Sequence, residues 1–214
     1  MKIPYHIAIE GSIGVGKTSL ARVLGERLDA KLILEEFEEN PFLVEFYKDA
    51  NHYAFQTQLF FLLSRYRQQQ QLQQTDLFTK TLITDYMFVK DRLFAALNLN
   101  DKEMSLYNSV ARILEQSVFS PDMVIFLQSD TDRLMNNIRI RGREYEKMID
   151  WKYIDALNQM YNDFFFRYSS SPLLIINTND IDFVNNENDL EEIIQFIRTP
   201  GEGTRYFNPL KSIS

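Results

Sequence analysis

The sequence predicts an α/β domain whose parallel sheet carries helices on both faces, and three observations predict it. Five short apolar runs, at residues 5–10, 32–35, 82–86, 123–128 and 172–177, each give way to a helical pattern. Several of these runs are apolar throughout, as strands buried on both faces are, where half-buried strands would alternate. After the first run, Gly11-Ser12-Ile13-Gly14-Val15-Gly16-Lys17-Thr18 matches GxxxxGK[ST] in full, and Ser19-Leu20-Ala21 opens a helix behind it. A strand before and a helix after is the context this motif needs, so the sheet is of the P-loop NTPase type.

The elements follow in order. Helical periodicity covers residues 17–28, 41–74, 89–119, 132–140, 151–168 and 190–197. Strands alternating with helices imply parallel pairing through right-handed crossovers. Residues 68–74 hold six glutamines and one leucine. Glutamine is a fair helix former, so this run is expected to be the exposed end of the helix before it. Residues 1–198 are expected to form one domain, with a lid near 139–148. Residues 199–214, rich in Pro, Gly and Ser with little periodicity, are expected to lie on the surface as a tail.

Composition narrows the function. A chain of 214 residues with 45% hydrophobic residues suits one α/β domain with a full core. The 17 Phe and 11 Tyr serve mostly as core, with a minority available to line a pocket for a flat ligand. A net charge of −7 gives no long-range attraction to a nucleic-acid polymer, so no such partner is expected. There is no Cys, which excludes disulfides and thiolate chemistry. The N-terminal apolar run is broken by Pro4 and His6, and no run is long enough to cross a bilayer. No membrane partner is expected, and the cytoplasm is the expected compartment.

The loop from Gly11 to Thr18 is read by its chemistry. Gly11, Gly14 and Gly16 let backbone N–H groups wrap a phosphate without Cβ clashes, with Ser12, Ile13, Val15 and Ser19 supplying further backbone donors. The helix N-terminus behind it adds its dipole. Lys17 would reach the β- and γ-phosphates of ATP, and the Thr18 hydroxyl would ligate Mg²⁺. In a doubly wound sheet, ligands sit beyond the carboxyl ends of the strands. Glu35 and Asp85 end the second and third apolar runs, so both should converge near the loop. Asp85 is the candidate to hold Mg²⁺ through water, and Glu35 the candidate general base for an acceptor hydroxyl. Glu36, Glu38 and Glu39 rival Glu35, but alternation lets only one of Glu35 and Glu36 face the site. Arg139, Arg141 and Arg143 fall within five residues at the end of a helix. They read as a lid that brings positive charge over the phosphates, with Arg139 and Arg143 one helical turn apart.

Together these residues resemble the deoxyribonucleoside kinase family, in its deoxyadenosine, deoxycytidine and deoxyguanosine kinase-like bacterial branch. The likeness runs from about residue 5 to 183. It rests on Ile9-Glu10-Gly11 through Thr18, Glu35 to Pro41, Phe46-Tyr47, Tyr53 to Gln58, Ser64-Arg65, Asp85 with Asp91-Arg92, and Arg141 to Glu146. The resemblance implies a five-stranded sheet of order 2-3-1-4-5. It implies transfer of the ATP γ-phosphate to the 5′-hydroxyl of a deoxyribonucleoside, with Mg²⁺ as cofactor, in nucleotide salvage. It implies that Glu35 is the catalytic base and that Tyr47 and Glu146 hold the sugar 3′-hydroxyl. Gln58 would pair with the base edge, and Arg65 and Asp91 would read it too. Asp85 would border the same substrate. Lys17, Arg141 and Arg143 would act on the moving phosphate, and Arg139 and Asp180 would contact ATP. A homodimer through the helices at 41–74 and 89–119 is also implied. Two positions depart from the pattern. Tyr86 stands where an Arg is usual after the third-strand carboxylate, leaving Lys90 and Arg92 as the nearby basic residues. Asn137 stands in the lid where another Arg is usual.

The reading set Gln58, Arg65 and Asp91 favours deoxyadenosine or deoxycytidine, with thymidine poor, because thymine offers no exocyclic amino group. The alternative is a nucleoside monophosphate kinase of the thymidylate kinase type. That enzyme needs basic residues at the acceptor site, against which the glutamate run at 35–39 argues. A GTPase would carry NKxD and DxxG, and neither occurs.

Overall fold

The computed structural model describes residues 3–72, 80–199 and 201–207. The described strands form one sheet of six in the order β2-β3-β1-β4-β5-β6, and every pairing is parallel. They are β1 His6–Gly11, β2 Lys31–Ile33, β3 Leu82–Thr84, β4 Met123–Gln128, β5 Leu173–Asn177 and β6 Thr204–Phe207. The order implied for the first five holds. The sheet has six strands where five were expected, because residues 204–207, read as tail, add β6 beside β5 with Leu173 opposite Thr204. The rest of that tail, 208–214, lies outside the described residues.

Both faces are covered, and the sequence alternates accordingly. Ile7, Ile9, Ile125, Leu127, Leu174 and Ile176 face one way. There they pack on Leu20 and Leu24 of α1 (Lys17–Leu28) and on Ile193, Ile194 and Ile197 of α8 (Glu187–Arg198). Ala8, Val124, Phe126, Leu173 and Ile175 face the other way, onto Leu157, Tyr161 and Phe165 of α7 (Trp151–Phe166). Phe126 and Phe165 stack with centroids 4.4 Å apart. Alternating residues therefore enter two cores, which is why these strands read as continuously apolar.

Two long helical stretches are each broken. The span 41–74 holds α2 (Leu43–Lys48) and α3 (Ala50–Leu72), parted at Asp49, whose φ of −145° leaves the helix. The span 89–119 holds α4 (Lys90–Asn98) and α5 (Asp101–Glu115). Leu99 is extended, and Asn100 caps α5 by accepting from the N–H groups of Lys102 and Glu103 while Glu103 accepts from Asn100 N–H. That capping box satisfies donors a continuous helix would have bonded internally. The glutamine run is not an exposed end where it is described: Gln68 and Gln69 are buried, and Gln68 donates to the Leu34 carbonyl at 3.1 Å. Residues 73 and 74 of that run lie outside the described residues. Between β4 and α7, α6 spans Thr131–Arg141. It stops at Gly142, whose φ of 69° suits glycine. Arg143 therefore lies beyond the helix and does not share a helical face with Arg139.

Candidate active site

The chain reverses its direction of growth across the sheet at β1, so the loops after β1 and β3 part and leave a crevice at the carboxyl ends. The loop after β1 forms the donor wall. Gly14 and Gly16 have φ of 86° and 103°, a region closed to most side chains. A Cβ on Gly14 would lie 2.7 Å from the Leu134 carbonyl oxygen. The loop is thus a cradle that only glycine can form. Asn137, on α6, donates to the Gly14 carbonyl at 2.9 Å and fixes its outer edge. Lys17 folds back over the loop, donating to the carbonyls of Gly11 and Ser12 at 2.9 and 3.0 Å. Burial, with help from the Lys90 charge, lowers its pKa to about 8.

Asp85 follows β3 and joins the two walls. One oxygen accepts from the Thr18 hydroxyl, and the other accepts from the Glu35 N–H at 2.7 Å. Glu35, beyond β2, turns inward and Glu36 outward, so only one of the two faces the site, as expected; Glu38 and Glu39, in the turn that follows, are exposed. Its two carboxylate oxygens are held separately. Arg65 of α3 donates to one, and Lys90 of α4 to the other at 2.6 Å. Burial alone would raise this carboxyl. Arg65 and Lys90, with Lys17 behind them, outweigh burial and hold it well below the usual carboxylate range. Arg65 also pairs with Asp91, and both are buried.

The acceptor wall continues along α2 and α3. Tyr47 lines the cleft and stacks on Tyr145 with centroids 5.9 Å apart. Gln58 is buried, lines the cleft, and has its side-chain oxygen without a hydrogen-bond partner among the described residues. Phe61 and Phe94 add flat apolar surface. Over the mouth, Arg141 makes two bonds to the buried Glu146, at 2.6 and 3.0 Å, and Arg143 reaches the same carboxylate at 3.4 Å. Arg143 also lies 4.0 Å above the Phe37 ring.

Of the residues singled out from sequence, Lys17, Thr18, Glu35, Tyr47, Gln58, Arg65, Asp85, Arg141, Arg143 and Glu146 line one cleft. Asp91 sits beneath Arg65 and does not line it, so it faces a ligand only through that guanidinium. Arg139 is exposed on α6 and is not among the lining residues. Asp180 is exposed in the loop after β5, where Ile181, Asp182 and Phe183 border the P-loop side of α1.

Sequence reasoning offered Lys90 and Arg92 as alternatives for the charge missing at Tyr86 and did not connect Lys90 with Glu35. Its signal was weak: a lysine five residues past Asp85, in the first turn of a helix. Arg92, its rival for the charge missing at Tyr86, pairs instead with Glu115 at 2.6 Å. Glu10 was missed too. It is buried at the end of β1, accepts from Met87 N–H at 2.5 Å and Gly11 N–H at 3.2 Å, and so ties the segment after β3 to the loop. Arg133 was also missed; it donates to the Asn179 and Ile181 carbonyls and pins the loop after β5.

A cradle for an anhydride phosphate that opens onto an inward carboxylate, with arginines above, is the arrangement of a P-loop kinase. The profile of the deoxynucleoside kinase family matches residues 7–200, and the chain belongs to that family. It is 31% identical over 199 residues to a deoxyguanosine kinase of Bacillus subtilis, covering 90% of this chain and 95% of that one. It is 33% identical over 208 residues to a deoxyadenosine kinase of Dictyostelium discoideum, covering 96% and 82%. Its fold superposes on a deoxyadenosine kinase of M. mycoides with products dCMP and dCDP bound. The TM-score is 0.81 at 25% identity, over 91% of this chain and 99% of that one.

Proposed function

We propose that this enzyme moves the γ-phosphate of ATP to the 5′-hydroxyl of a deoxyribonucleoside, with deoxyadenosine or deoxycytidine preferred and thymidine poor. One observation carries the reading: Glu35 faces the P-loop lysine across a cleft that also presents the unpartnered oxygen of Gln58. Glu35 accepts the hydroxyl proton, held in place by Arg65, Lys90 and the Asp85–N–H bond. Phosphoryl transfer needs this alignment more than it needs a strong base, so a carboxyl of low pKa serves. Tyr47 and Glu146 hold the sugar. Gln58 offers a donor and an acceptor together, matching the ring nitrogen and exocyclic amino group of an adenine or cytosine edge, and Arg65, steadied by Asp91, presents the second reading group. Lys17, Arg141 and Arg143 supply charge to the donor phosphates.

The residues present fit a hard divalent cation. Thr18 Oγ1 and an Asp85 oxygen meet at the end of the cradle, an all-oxygen pair of the kind Mg²⁺ shares with nucleotide phosphates. Thr18 and Asp85 would hold Mg²⁺, which would draw charge from the phosphates when bound. A relative that phosphorylates both preferred nucleosides by name, the deoxyadenosine/deoxycytidine kinase of Bacillus subtilis, is 30% identical over 199 residues. A homodimer through α3 to α5 belongs to the same reading, supported by exposed Leu63, Leu106 and Ile113 on those helices. No helix among the described residues is long and apolar enough to cross a membrane.

The test is a competition assay giving kcat/KM for the four deoxyribonucleosides and their monophosphates. Leaving a buried polar group unpaired costs ~1–3 kcal/mol, so thymidine should trail by roughly tenfold to a hundredfold. Thymidine as the best substrate would remove the reading roles of Arg65 and Asp91. Phosphorylation of monophosphates alone would move the enzyme to the thymidylate kinase type.

A further inference from the structure

Lys90 is the cleft residue for which positioning Glu35 is an incomplete explanation. It stands in the first turn of α4, is 5% exposed, and its ammonium lies 2.6 Å from a Glu35 oxygen and 5.7 Å from the centre of the Phe94 ring. An ammonium is strongly hydrated, and stripping its water is costly unless an anion replaces it. Arg65 already binds Glu35, so the carboxylate has a cation without Lys90.

The charges explain the excess. Asp91 is 1% exposed and has Arg65 as its ion-pair partner. Asp91 thus balances Arg65, and Glu35 balances Lys90. The balance lasts only while Glu35 is ionised. During transfer the hydroxyl proton passes to Glu35, the O5′–P bond forms, and the P–O bond to ADP breaks with its electron pair leaving on ADP. Glu35 is then neutral, Arg65 still has Asp91, and Lys90 has lost its anion beside a newly formed phosphate ester. No other cation of this segment is placed to meet that ester among the described residues. Tyr86 is fully buried with its ring 5.9 Å from the Arg65 guanidinium, and Arg92 is paired to Glu115. An acceptor oxygen hydrogen-bonded to Glu35 lies about 3 Å from it, so the phosphate built on that oxygen falls within the swing of the lysine stem.

We propose that Lys90 serves two anions in turn, positioning Glu35 before transfer and binding the transferred 5′-phosphate after it. This rests on the deoxynucleoside kinase reading of the cleft. It makes Lys90 a group that tells the monophosphate product from the nucleoside.

Calorimetric titration of deoxyadenosine and of deoxyadenosine 5′-monophosphate into wild type, Lys90→Met, Lys90→Gln and Lys90→Arg tests it. An ATP-induced rise in melting temperature serves as the check on folding. Loss of a charge-assisted bond should weaken monophosphate binding of Lys90→Met and Lys90→Gln about 10–100-fold, with nucleoside binding changed by less than about threefold. Lys90→Arg keeps the charge and should restore most of the monophosphate affinity. Equal losses for both ligands, or an unchanged monophosphate affinity, overturn the proposal and reduce Lys90 to a prop for Glu35. If Lys90→Met does not fold, the same ratio in Lys90→Gln against Lys90→Arg decides. Wild-type protein that binds neither ligand overturns the nucleoside reading of the cleft, and the assignment of Lys90 with it.

Discussion

The donor wall of the cleft is built from backbone, and the acceptor wall from side chains. Gly11 to Thr18 is one contiguous segment shaped into a cradle by the positive φ angles of its glycines. The acceptor wall gathers Glu35, Gln58, Arg65 and Lys90 from three parts of the chain, with Arg65 and Lys90 reaching Glu35 across 30 and 55 positions. Backbone geometry tolerates few sequences, so the donor wall has a fixed pattern. Side-chain charges can be supplied from different positions, as Lys90 supplies one here while Tyr86 packs into the core. The first wall should be sensitive to shape and the second to charge.

The largest expected effect is on the acceptor wall. Glu35→Gln keeps the shape and removes the base, and turnover should fall ~10²–10⁴-fold while nucleoside affinity changes little. Steady-state kinetics within about threefold of wild type, set against that range, would make Glu36 the next candidate. Next comes Arg65→Met, which leaves Asp91 buried without a cation and Glu35 with Lys90 alone. Breaking a buried pair from one side costs about 3–5 kcal/mol, so urea denaturation should show a loss of that order. A loss under about 1 kcal/mol, as exposed pairs give, would mean water reaches Asp91.

Gly14→Ala tests shape on the donor wall with no change of charge. Left-handed backbone and the Leu134 carbonyl at 2.7 Å oppose the added methyl. At ~1–3 kcal/mol of strain, ATP affinity should drop roughly tenfold to a hundredfold with nucleoside affinity intact. Equal weakening of both ligands would erase the distinction between the walls. The smallest effect is in pH. Burial and the Lys90 charge lower Lys17 to about 8. Its positive charge is therefore complete below that pH and lost above it. The kcat/KM for ATP should hold up to about pH 8 and then fall about tenfold per pH unit. A profile flat to pH 10 would show that Lys17 keeps its proton in the free enzyme.

The same contrast decides what could be read in advance. The parallel sheet and the cradle were legible because they depend on local patterns: apolar runs, glycine spacing and a motif with its flanks; the strand order through β5 came from the resemblance alone. The breaks at Asp49 and Leu99 were not read, because apolar periodicity runs through both. Yet Asn100 with Glu103 spells a capping box that marks the second. β6 was missed because a four-residue edge strand with one buried position carries almost no pattern. Alternation showed that only one of Glu35 and Glu36 could face the site, and the resemblance chose Glu35 and added Gln58, Arg65 and Asp91. Neither route revealed that Arg65 and Lys90 divide one carboxylate between them. That is a fact of three-dimensional distance, and no spacing along the chain encodes it.

The divided carboxylate also bears on thrift. An enzyme that cradles a nucleotide anhydride in an open crevice risks spending it on water whenever no nucleoside has arrived. In the resting arrangement each Glu35 oxygen already carries a cation, and its basicity is held low by them. A water molecule drifting in alone would lack the contacts proposed for the sugar at Tyr47 and Glu146 and would meet a carboxylate poorly disposed to take its proton. A nucleoside brings those contacts and the reach to compete for the same oxygens. On the proposed reading, the pairing itself would restrain futile hydrolysis.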